Sequence, residues 1–161
     1  MQLTYPVNPV IGVHGQRIEN WPSAIATGLA SAAIVNVGVV VVFDTAATRD
    51  PKSVRAPATT GEVTTQLGVA GITLWDHTYP EPPYRVGSSL PVMRKGRIAI
   101  VAATALVAHT SPFVRFAVVG AGNMLGELRN DADAGNAVAA PYLNVIVGAA
   151  AGGVAIVEIN L

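Results

Sequence analysis

The chain is 161 residues long, 51% hydrophobic and only 12% charged, with ten basic and ten acidic side chains and no formal net charge. The absence of cysteine excludes disulfides, thiolate catalysis and cysteine-ligated zinc, and the balanced charge argues against nucleic acid as a main partner. A charged share about half the ~25% usual for soluble domains leaves too little polar surface for a lone monomer, so a large protein interface or a membrane should cover part of the chain.

Val, Ala, Gly, Thr and Pro dominate and long helix formers are scarce, so the propensity favours strands and turns. Residues 1–20 are expected to form an extended arm and residues 21–161 a single β-rich domain. In the arm, Pro6 and Pro9 rule out a helix while Leu3, Tyr5 and Val7 alternate with polar or small residues, as in an edge strand laid on another subunit. The start, MQLTYPVNPVIG, has neither the basic beginning nor the apolar core of a signal peptide, so synthesis in the cytoplasm is expected.

Trp21 to Phe43 carries no charge over 23 residues, about the length that crosses a bilayer. Asn36, three hydroxyls, Pro22 and the lack of a flanking basic cluster argue against a span. Ser23 is placed to cap a short helix through Ala33, and Ile34 to Phe43 has the β-branched character of a strand buried on both faces. TAATRDPKSVRAPATTG, residues 45–61, reads as a long exposed loop, and Glu62 to Trp75 as a return to strand, with Val63, Thr65, Leu67 and Val69 on one face.

A proline-rich connection then leads into YRVGSSLPVMRKGRIAIVAATAL, residues 84–106. Apolar runs flank Arg94-Lys95-Gly96-Arg97, which predicts a β-hairpin with Lys95 and Gly96 at its tip and Arg94 facing Arg97. Like charges set opposite one another are unfavourable without an anion between them, so Arg94, Lys95 and Arg97 are candidates for docking an acidic surface. A strand from Phe113 to Val119 follows, and NVIVGAAAGGVAIVEINL closes the chain as two strands joined by a small-residue turn, with Val157, Ile159 and Leu161 on one face. Short strands at regular spacing predict an all-β fold, an antiparallel β-sandwich or barrel with an extended N-terminal arm and long loops.

Catalytic and cofactor signals are weak. VRFAVVGAGNMLGEL imitates a dinucleotide turn through Gly120, Gly122 and Gly126, and a small nucleotide-binding enzyme domain is the alternative reading. That turn needs a following helix and a second parallel strand, whereas GELRNDADAGNAV is polar and glycine-broken. His14, His77 and His109 stand apart from one another, and Asp131 and Asp133 lack the further oxygen ligands of a calcium loop. No catalytic, cofactor or metal residue is assigned, and no enzyme activity is expected.

The segments YPVNPVIGVHGQRIEN, PPYRVGSSLPVMRKGRIAIVA, FVRFAVVGAGNMLGELRNDADAGNAVA and AAAGGVAIVEINL, in that order, resemble the structural cement, or capsid decoration, proteins of tailed bacteriophages. The resemblance implies a virion protein without catalysis on the exterior of the capsid. It would bind the major capsid protein as a homo-oligomer, a trimer rather than a dimer, and clamp neighbouring capsomers. It implies no cofactor, nucleic acid or membrane. Leu3, Tyr5, Val7, Arg94, Lys95 and Arg97 are the residues expected to touch the shell or a partner subunit.

Overall fold

The computed structural model describes residues 14–18, 22–31, 35–44, 52–76, 84–118 and 124–161. Their strands are β1 (Ala24–Ala30), β2 (Val40–Phe43), β3 (Ser53–Arg55), β4 (Val69–Thr73), β5 (Ser89–Val101), β6 (Phe113–Arg115), β7 (Leu128–Arg129), β8 (Ala137–Ala139), β9 (Leu143–Val147) and β10 (Val154–Asn160), with one short helix, α1 (Thr60–Thr64). Seven strands form a sheet in the order β1-β3-β2-β4-β5-β10-β9, and β1 also pairs with β5, so the first five close into a ring. β7, β6 and β8 form a second, three-stranded sheet. The all-β expectation therefore holds, in its barrel form.

Two apolar cores explain the run Val39 to Val42, in which every valine is buried. Val39 and Val41 join Val54, Ala70, Leu90 and Val92 in the core of the ring. Val40 points the other way, into a larger core that gathers Ile72, Met93, Ile98, Ile100, Val157 and Ile159 from the outer face of the sheet and Val114 and Leu128 from the smaller sheet. A strand buried on both faces has no use for alternation, so its sequence is continuously apolar. At roughly 25 cal/mol per Å² of apolar surface, this double burial is a major source of cohesion in a chain without cross-links.

The predicted hairpin at Lys95-Gly96 is replaced by one uninterrupted strand of 13 residues. Lys95 to Val101 pairs antiparallel with all of β10, so each side of Gly96 already has a ladder partner and the chain has no reason to reverse. On the other edge the register slips, with Ala24 opposite Lys95 but Ile25 opposite Met93, which leaves Arg94 as the extra residue of a β-bulge. Gly96 makes the bend possible: its φ is +131°, and a Cβ there would lie 2.9 Å from that of Ser23. Arg94 and Arg97 therefore do not face one another.

Other local expectations are corrected in the same way. The helix predicted from Ser23 is strand β1, because pairing with β5 overrides the helical preference of its alanines. The long loop of residues 45–61 contains β3, whose Ser53 and Val54 are buried. The strand predicted to start at Glu62 begins only at Val69, since Thr60–Thr64 is helical and Gln66–Gly68 forms a 3-10 turn. Glu62 reaches back to the amides of Ala58 and Thr59 at 2.8 and 3.3 Å and so satisfies donors at the helix start. No helix of the described residues is long and apolar enough to cross a membrane.

Candidate functional site

Because β5 bends instead of turning, its three cations have three different surroundings. Arg97 sits opposite Glu158 on β10 and pairs with it at 3.5 Å. Lys95 is exposed opposite Asn160. Arg94, also exposed, holds its guanidinium 5.9 Å above the centre of the Phe43 ring, within reach of a cation–π interaction. No ion pair joins Arg94 or Lys95 to another described residue.

Arg94 and Phe43 stand at the rim of a cavity of about 330 Å³ that opens into the ring of strands. Val54, Ala70 and Val92 form its apolar wall and Ala26 and Gly28 its near side, with Lys52 on the rim. A Cβ at position 28 would come within 2.9 Å of Val54, so the glycine is required for β1 to pass this close to β3. The cavity is walled by apolar side chains and edged by basic ones, which suits an apolar group next to a carboxylate. Nothing in the sequence pattern pointed to it, since its residues come from β1, β2, β3, β4 and β5 together.

Leu3, Tyr5 and Val7 lie outside the described residues. The segment that follows them does not: Gly15 donates to Ala99 O at 2.7 Å, Ala99 to Gln16 O at 2.9 Å and Ile18 to Arg97 O at 2.9 Å, which lays residues 15–18 along the second half of β5. His14 anchors this segment, its Nδ1 accepting the Val101 N–H at 2.7 Å. Its ring packs so tightly on Gly38 that a Cβ there would fall 2.2 Å from His14 Cε1. Burial lowers the His14 pKa below the ordinary value of 6.5, against the opposing effect of a hydrogen bond to the Val37 backbone.

The other candidates resolve into structure. Asp133 pairs with Arg115 at 2.9 Å and with Arg129 at 3.1 Å, and Asp131 pairs with Arg129 at 2.9 Å, so these carboxylates balance arginines. No cluster of three or more His, Asp or Glu among the described residues could hold a metal ion. His109 is an exposed residue with φ +64°, and His77 lies outside the described residues. Gly120 and Gly122 also lie outside them, but Gly126 is placed: its N–H donates to Arg115 O at 2.8 Å and its carbonyl accepts from Val40 N at 2.9 Å. A Cβ there would strike Val40 O at 2.3 Å, so that glycine serves close packing on β2. From Met124 onward come β7, a 3-10 turn and β8, with no helix of the kind a dinucleotide needs.

The described residues thus place a basic crest, an apolar cavity beside it and a terminal segment along the same strand on an all-β scaffold. The profile of the family described as Structural cement protein (E217 gp24/Pam3 gp6) matches residues 1–160. No curated protein sequence matches the chain. Among solved structures, a chain of the capsid of Myoviridae phage XM1 is similar in fold, with a TM-score of 0.70 at 16% identity, covering 99% of this chain and 97% of that one. The chain belongs to the structural cement protein family and is a phage structural protein associated with the capsid.

Proposed function

We propose that this protein binds the outer surface of its capsid as a homo-oligomer, a trimer in preference to a dimer, and stabilises the shell by clamping neighbouring capsomers without any catalysis. The observation that carries the reading is the crest of β5, where Arg94 and Lys95 are exposed beside an apolar cavity and next to the path of the terminal segment. Basic side chains of this kind steer and orient a partner with acidic groups, and apolar burial supplies the lasting part of the affinity. Main-chain pairing by the arm, through Leu3, Tyr5 and Val7, would tie one subunit to the next. Because such contacts exist only in the assembled shell, they stabilise it over its bare form.

The test is the triple substitution of Arg94, Lys95 and Arg97 by alanine, assayed for binding to purified shells that lack the protein. Affinity should fall about ten-fold or more, equivalent to ~1.4 kcal/mol, and the dependence of binding on salt should flatten. Arg97→Ala alone should contribute the least, because that guanidinium is already paired with Glu158. Unchanged affinity and salt dependence in the triple variant would remove the basic crest from the account.

A further inference from the structure

Three features of β1 and its surroundings point to one occupant. The first is a stretch of strand edge with which no described residue pairs. Leu29 N donates to Lys52 O on the β3 side, whereas Ala30 N donates to Ser88 O on the β5 side. Amides alternate in direction along a strand, so the N–H groups of Ile25 and Thr27 point with that of Leu29, away from β5. The pairing of Thr27 with Pro91 agrees, since proline has no N–H to exchange. Yet β3 pairs only with Leu29 and Ala30. Among the described residues nothing pairs with the outward edge of Ile25 to Thr27, and Ile25 remains 46% exposed.

The second feature is the 330 Å³ apolar cavity, whose near side is this same strand at Ala26 to Gly28. The third is the Arg94 guanidinium at its rim, held over Phe43. A segment that adds to the edge of β1 presents alternate side chains toward the ring, one into the cavity and the next group along within reach of Arg94.

We propose that the β1 edge and the adjoining cavity form a strand-addition site for an extended segment of the shell protein, one that carries an apolar side chain next to a carboxylate. The proposal rests on the capsid-binding reading above and says where and how that contact is made. Charge favours the shell protein over the N-terminal residues of a second copy: residues 1–13, which precede the segment laid on β5, contain no aspartate or glutamate. Those residues therefore have no carboxylate to offer Arg94.

Hydrogen exchange of the full-length chain, free and bound to purified shells that lack it, tests the site together with two variants, Ala26→Phe to fill the cavity and Thr27→Pro to remove one outward amide. Proline is tolerated where a strand's N–H faces away from its ladder, and the melting temperature of each variant checks that it folds. The peptide spanning residues 24–28 should gain protection on the shell, and both variants should lose ten-fold or more in shell affinity while the parent binds. Parent-like affinity in folded variants would overturn the site and leave the capsid reading intact. Protection of the Ile25 and Thr27 amides, the two that face away from β5, already in the free chain would also overturn it. If independent of concentration, that protection would give the edge to the chain's own residues 45–51; if concentration-dependent, to a second copy. Failure of the parent chain to bind shells at all would remove the capsid reading, and this proposal with it.

Discussion

Arg115 is 1% exposed and carries its charge into the interior between Glu127 and Asp133, each 2.9 Å away. Removing one member of such a group leaves the others desolvated and unbalanced, which costs about 3–5 kcal/mol. Arg115→Ala should therefore lower unfolding stability by that amount in denaturant titrations, and a loss below ~1 kcal/mol would show that water or relaxation compensates. His14 makes a second prediction. Burial holds its pKa below 6.5, so between the folded and unfolded values the unfolded chain binds more protons. The stability it contributes is complete above about pH 6.5 and is lost as pH falls through the lowered folded value. Melting temperature should decline more steeply on acidification below that point in the parent than in His14→Gln, and parallel profiles would contradict the role. Neither residue was legible beforehand: FVRF reads as part of a strand with nothing to mark its arginine as buried, and a lone histidine carries no spacing to interpret. Their roles depend on carboxylates and carbonyls distant in sequence.

β5 makes the clearest case at the scale of elements. Gly96 between charged residues looks like a turn, and only the presence of β10 and β1 on its two edges turns it into a bend in a continuous strand. Gly96→Ala must place a Cβ against Ser23 at a φ of +131°, which a side chain rarely adopts. The expected loss exceeds ~1 kcal/mol, read from chemical unfolding, whereas a neutral substitution would mean that the bend relaxes freely. β9 and β10 were readable because both partners are local and apolar residues alternate along the final strand, with Ala155, Val157 and Ile159 buried. The helix α1 was missed although its signal was present: Thr59 followed by Glu62 three residues on is a capping pattern, masked by the β-branched residues around it. β1 was misread because its alanines favour a helix on their own, and the strand exists through its pairing with β5.

For the whole molecule, composition was enough to indicate an all-β protein. The closing of five strands into a ring was not legible, since it depends on the parallel pairing of β1 with β3 and the long-range pairing of β1 with β5, neither of which leaves a local trace. The cavity and its basic rim follow from that closure, which is why single segments showed the cations but not the hollow beside them. A capsid-associated protein that clamps capsomers must occupy the shell lattice at regular sites. The most direct test is its copy number in purified virions, measured by quantitative mass spectrometry against the major capsid protein. A ratio near one or a simple fraction such as about one third is expected, as symmetric assembly on a lattice requires. Absence, or only a few copies per particle, would contradict it.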